Sequence, residues 1–151
     1  MTHENCIFCR ILKNELPTKK IWEDENHIAV LTPFPNTPGF TVIITKQHLD
    51  SYIFSLTDDE IINIFKAAKE VALLLDSKLG SKRTGLIVEG MGINHAHVKL
   101  IPMHGIPDGD WIQMESKIYK YSDKYEGYLS SHDGPLQSDD ELNVVYNKII
   151  N

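Results

Sequence analysis

The stretch from Thr57 to Leu79, TDDEIINIFKAAKEVALLLDSKL, constrains the fold more than any other part of this 151-residue chain. Thr57 followed by Glu60 has the form of a capping box, in which each side chain satisfies a backbone N–H of the other. Leu56 and Ile61 stand where a hydrophobic staple would place them, and Gly80 supplies a stop. Ile61, Ile64, Phe65, Ala68, Ala72 and Leu75 fall on one stripe at helical spacing. A helix this long with one apolar stripe has to cover something, and the flanking segments make that partner a sheet.

Three of those segments precede the helix: KKIWED (Lys19 to Asp24), HIAVLT (His27 to Thr32) and FTVIIT (Phe40 to Thr45). They are rich in β-branched residues and bounded by the turn-forming runs DEN and PNTPG, which predicts antiparallel strands. Two more are expected after it, in TGLIVEG and HAHVKLIP, where Gly90 and Gly92 permit either a tight turn or a close approach of backbone to a ligand. NCIFCRILKNELP predicts a short amphipathic N-terminal helix ending before Pro17, with Cys6 and Cys9 one turn apart. The expected class is α+β, an antiparallel sheet of about five strands with a packed long helix.

From Met103 to Gln137 no period is sustained, while SDDELNVVYNKII has a second capping signature and predicts a terminal helix. With 42% apolar and 24% charged residues, residues 1–151 are expected to form a single domain with an extended C-terminal segment from about residue 103. The net charge of −6 disfavours nucleic acid and anionic membranes as partners, so any nucleotide must be held locally. No apolar run approaches the roughly 18–20 residues of a membrane span, and MTHENCIFC lacks a basic start before a hydrophobic segment. A cytoplasmic setting is expected. The only cysteines, Cys6 and Cys9, form a CxxC pair, which in a reduced chain is more often a metal or redox element than a structural disulfide.

The chemistry concentrates in NHAHVKLIP, Asn94 to Pro102. On a strand, His95, His97 and Lys99 project from one face while Ala96, Val98 and Leu100 enter the core. A neutral imidazole is a good nucleophile toward phosphorus, and a neighbouring ammonium stabilises charge growing on phosphoryl oxygens. Phosphoryl or nucleotidyl transfer is the chemistry this row suits; the bland alternative is the solvated face of a half-buried strand.

CIFCRIL, WEDENHIAVL, TPGFTVIITKQH, a long helix and HAHVKLIP follow one another at spacings that resemble the histidine triad family of nucleotide hydrolases and transferases, over Cys6 to Pro102. The resemblance implies a homodimer and a nucleotide-type substrate. It makes His97 the nucleophile that attacks an α-phosphate to give a nucleotidyl-histidine, and His95 the residue that orients it. Three positions depart from the family pattern. Lys99 stands where the third histidine belongs; it can neutralise phosphate, but an ammonium does not exchange a proton at neutral pH as imidazole does. Thr32 replaces the acidic residue that receives the ribose hydroxyls, and offers one hydroxyl instead. Gly92 lies in a shortened loop where relatives carry a side-chain donor to phosphate, a task that backbone N–H groups can perform. Phe34 belongs to the loop that approaches the nucleoside in relatives, and Trp22 and Trp111 are other aromatic candidates, although tryptophan is more often core.

Cys6, Cys9, His48 and His95 together offer the donors that tetrahedral zinc prefers, and they match the ligands of the family's zinc-containing members. Such a site would be structural, since four protein ligands leave no open position. In the alternative, the cysteines are small core residues and His48 lines the phosphate pocket, as in members without metal. The expected function is nucleotide hydrolysis at the α-phosphate. Transfer to a phosphate acceptor and a catalytically weak nucleotide-binding protein are the alternatives that Lys99 and Thr32 leave open.

Overall fold

The computed structural model describes residues 5–150. It divides into two compact units, Met1–Gly109 and Asp110–Asn151. The first carries every strand. Antiparallel strands β1 (Lys19–Glu23), β2 (His27–Leu31) and β3 (Thr41–Thr45) follow the short helix α1 (Ile7–Leu12). The chain then crosses the sheet through α2 (Asp58–Leu79) and finishes it with β4 (Thr84–Ile87) and β5 (His97–Pro102). The order across the sheet is β1-β2-β3-β5-β4, so β5 is an interior strand held by β3 on one side and β4 on the other.

The two faces of the sheet are covered differently. On one, Ala29, Ile43, Val98 and Leu100 pack against Ile64, Ala67, Ala68, Val71 and Leu75 of α2. On the other, Ile28, Val30, Val42 and Ile44 pack against Cys6 and Phe8 at α1. Because both faces are covered, β2 and β3 are apolar almost throughout and do not alternate with polar residues. The β3–β5 register sets Ile44 opposite His97 and Val42 opposite Lys99, which puts the polar row of β5 on the α1 face.

The long helix has the predicted ends. The Thr57 hydroxyl accepts the Glu60 N–H, the Glu60 carboxylate accepts the Thr57 N–H at 2.8 Å, and Gly80 closes the helix with φ of 67°. Leu56 and Ile61 both pack on the core beneath α2. The buried stripe is rotated from the predicted one: Ala67 and Val71 are inside, whereas Phe65 is 44% exposed. At about 100° per residue, Phe65 stands a quarter-turn from Ile64 and falls on the flank of the stripe.

Three boundaries differ from expectation. The N-terminal helix ends at Leu12, where the chain leaves helical geometry and Asn14 takes a φ of 58°. The last strand begins at His97, because the Ala96 N–H turns aside to the Leu49 carbonyl and leaves the ladder. Residues 88–96 form a long connection fastened to Ser51, whose hydroxyl donates to the Gly90 carbonyl at 2.7 Å and whose N–H donates to the Asn94 side-chain oxygen at 3.2 Å. Gly90 is needed there for backbone against backbone: its φ is 73°, and a Cβ would lie 2.5 Å from the Ser51 carbonyl oxygen.

The second unit has no strand among its described residues and ends in α3 (Asp139–Ile150), opened by a Ser138–Glu141 capping box. Trp111 and His132 lie in this unit, where His132 bonds to Ser130 and to the Lys120 carbonyl. Trp22 packs at the edge of the core beneath α2. Among the described residues, no helix is long and apolar enough to cross a membrane.

Thr57→Ala is expected to cost about 1 kcal/mol through loss of the cap. Gly90→Ala is expected to cost about 2 kcal/mol or more, because a left-handed φ and a backbone clash act together. Denaturant midpoints at constant m measure both, and equal stability of the Gly90 variant and the parent would show that the connection is not held as described.

Candidate active site

The site lies where three segments meet under the α1 face: the start of α1, the turn after β3 that carries His48, and the entry to β5. His95 is fully buried, and each part of it is engaged. Its Nε2 lies 2.7 Å from the Thr45 carbonyl oxygen, which can only accept, so Nε2 carries the hydrogen and Nδ1 the lone pair. That lone pair points at sulfur: Nδ1 is 3.4 Å from Sγ of Cys6 and 3.6 Å from Sγ of Cys9. His48 Nδ1 is 3.2 Å from Sγ of Cys9, and the His48 and His95 rings meet edge to face at 4.8 Å.

The four donor atoms of Cys6, Cys9, His48 and His95 lie within 4.8 Å of one another. Their sulfur–nitrogen separations are close to the roughly 3.5 Å that a shared tetrahedral centre imposes with Zn–S bonds of about 2.3 Å and Zn–N bonds of about 2.0 Å. Burial, and next the hydrogen-bonded Cys6 thiol, push the Cys9 thiol above its ordinary value. Two sulfurs so placed need a cation to ionise together. The donor set, the fixed tautomer of His95 and the carbonyl behind it therefore fit a closed zinc site.

His97 is 4% exposed. Its Nδ1–H donates to the His95 carbonyl at 2.7 Å, which leaves the Nε2 lone pair facing away from the backbone. Burial is the main influence on its ionisation and pushes its pKa down. The hydrogen bond to His95 and the Glu89 carboxylate oppose that, Lys99 adds to it, and the net shift is downward. The imidazole is thus neutral at neutral pH, the form that can attack phosphorus. Phe8 packs its ring against both histidines, at 5.7 Å from His95 and 5.2 Å from His97, and fixes their planes.

Lys99 follows on the same face, and its Nζ donates to Oε2 of Glu89 at 2.7 Å. Sequence reasoning found His95, His97 and Lys99 but missed Phe8 and Glu89. Glu89 lies two residues beyond the Ile87–Lys99 pairing, in the connection after β4, and the strand register that brings it to Lys99 is not written in the sequence. Phe8 was not legible either, since nothing in CIFCRIL says which ring turns toward β5.

Thr32, Phe34 and Gly92, expected on the substrate side, lie in or beside exposed loops. Thr32 follows the end of β2, and its Oγ1 accepts the Phe34 N–H at 3.2 Å; Phe34 is 88% exposed. Gly92 is exposed in the connection before β5, and a Cβ there would meet nothing within 4 Å.

The HIT domain family model matches residues 13–109. An uncharacterised HIT-like protein of Methanocaldococcus jannaschii is 34% identical over 104 residues, covering 66% of this chain and 79% of its own length. A protein of Saccharomyces cerevisiae named adenosine 5′-monophosphoramidase is 28% identical over 134 residues, covering 85% of this chain and 84% of its own. Among solved structures, a HIT family hydrolase from Clostridium thermocellum aligns with a TM-score of 0.59 at 29% identity, over 73% of this chain and 98% of the other. The family match spans the whole five-stranded sheet, α2, His48 and the row from His95 to Lys99, and the chain belongs to the HIT domain family, the histidine triad proteins.

Proposed function

We propose that this chain is a nucleotide hydrolase that acts at the α-phosphate of a nucleoside phosphate derivative through a nucleotidyl-histidine intermediate on His97. The observation that carries the reading is the fixed tautomer of His97, whose Nδ1–H is bound to the His95 carbonyl at 2.7 Å while burial keeps the ring neutral. A nucleophile so oriented needs no activation step before attack. The similarity to a yeast protein named adenosine 5′-monophosphoramidase supports action at the α-phosphate of a nucleotide.

In this reading, Nε2 of His97 attacks the α-phosphorus, the leaving group departs, and water releases the nucleoside monophosphate. Lys99 stabilises the phosphoryl oxygens, and the His95 backbone aims the nucleophile. Phe34, on its exposed loop, offers a ring to the base, and the Thr32 hydroxyl hydrogen reaches a ribose oxygen. The backbone at Gly92 has room for a phosphate to approach. His48 serves the metal and not the phosphate, because its Nδ1 faces the Cys9 sulfur. Cys6, Cys9, His48 and His95 would hold zinc in a structural role, with no open position for substrate. The reading also carries a homodimer, which light scattering would check by giving twice the monomer mass, and a reducing cytoplasmic setting that keeps both thiols available.

Intact-mass spectrometry after a non-acidic quench, with adenylyl and guanylyl compounds, tests the chemistry. A nucleotidyl adduct is expected on the parent protein and none on His97→Ala. Nucleotide binding with neither adduct nor product would overturn the hydrolase reading in favour of a binding protein.

Metal analysis is expected to find one zinc per chain. Chelation is expected to lower the melting temperature well before it changes the adduct chemistry of protein that stays folded. An identical melting temperature with and without chelator, in protein of known metal content, would remove zinc from the structure.

A further inference from the structure

The pair formed by Lys99 and Glu89 has a feature that a lysine alone would lack. The Glu89 side chain is 9% exposed and that of Lys99 27%, so the carboxylate is the more deeply buried partner. A carboxylate in that position requires a cation beside it. The β4–β5 register sets Ile87 opposite Lys99, so Glu89 follows two residues on, toward His97. Both charges act on the His97 ring, in opposite senses. The pair has no net charge, like the neutral imidazole that Lys99 replaces in the family pattern.

Building on the reading of His97 as nucleophile, we propose that Glu89 is a positioning residue that pins the Lys99 ammonium beside His97 as a fixed charge. The site then favours nucleotides whose leaving group departs as an anion, a phosphate or polyphosphate, over phosphoramidates that release an amine.

The reason lies in where protons can move. For Lys99 to hand its proton to a leaving group, its ion pair with the largely buried Glu89 carboxylate would have to be given up. Lys99 therefore works as an electrostatic clamp and not as a general acid. With a phosphoanhydride no proton is required: the bond from Nε2 of His97 to the α-phosphorus forms, the P–O bond breaks, and the electron pair leaves on the phosphate oxygen. Water then adds to phosphorus, the N–P bond breaks with its pair returning to Nε2, and the proton of the water is lost to solvent as the monophosphate ionises. With a phosphoramidate, the departing nitrogen must gain a proton as the P–N bond breaks, and the pinned ammonium does not supply one.

Steady-state kinetics of the full-length protein on diadenosine triphosphate and on adenosine 5′-phosphoramidate test this. The parent is expected to favour the triphosphate in kcat/KM by at least about tenfold, a modest share of what a general acid contributes. Lys99→His is expected to move that ratio toward the phosphoramidate by about tenfold or more, because an imidazole can donate. A ratio of two substrates does not depend on how much of a variant is folded. Glu89→Gln is expected to lower kcat on the triphosphate and also to lower KM, since removing a negative charge strengthens anion binding while freeing the ammonium from its place. A purely structural Glu89 would reduce kcat and leave KM unchanged. A parent that prefers the phosphoramidate, a ratio that Lys99→His does not move, or an unchanged KM in Glu89→Gln would each overturn the proposal while leaving His97 as nucleophile. Absence of an adduct and of product with both substrates would instead overturn the His97 reading, and the proposal with it.

Discussion

His95 is the residue through which the Cys6–Cys9–His48 cluster, the sheet and His97 are joined. Its ring is held by the Thr45 carbonyl at Nε2 and turned to two sulfurs at Nδ1, while its own carbonyl takes the Nδ1–H of His97. Each bond fixes the next. The carbonyl of β3 sets the His95 tautomer, the tautomer turns the Nδ1 lone pair toward the cysteine sulfurs, and the backbone so anchored sets the His97 tautomer. Disturbing the cluster would therefore reach the His97 ring through the His95 backbone.

The asymmetry of the two sheet faces makes this arrangement possible. The α2 face is filled by a capped helix of 22 residues, and its packing is apolar from Ile64 to Leu75. The opposite face is covered by a six-residue helix, too short to span the sheet, and Cys6 and Phe8 cover only part of it. The polar row of β5 occupies that less covered face. It remains rigid because β5 lies between β3 and β4, and because the preceding connection is fastened to Ser51.

Lys99 does not stand alone on its face of the sheet. The Glu89 carboxylate accepts the Lys99 ammonium at 2.7 Å and holds it in place. Lys99 is thus one member of a pair, and the second member lies ten residues earlier on the neighbouring segment, where no motif marks it.

Much of the fold was legible in the sequence, because its signals are local. The capping box, the staple and Gly80 define α2 through hydrogen bonds and contacts within a few residues, and two-residue alternation put His95, His97 and Lys99 on one face before any contact was known. The donor types of Cys6, Cys9, His48 and His95 pointed to one metal in the same way, by chemistry and spacing. What the sequence could not determine were relations between segments far apart in the chain. The rotation that buries Ala67 and Val71 and leaves Phe65 on the flank depends on how α2 lies on the sheet. The end of the ladder at Ala96 depends on the Leu49 carbonyl, the need for Gly90 on the Ser51 backbone, and the wall of the site on which way Phe8 turns. Helix ends and strand faces are set by neighbours along the chain, so residue types sufficed for them. The His95 tautomer, the Lys99–Glu89 ion pair and the meeting of the cysteine sulfurs with the His95 and His48 rings are set by partners 10 to 89 residues away, and only tertiary packing brings those together.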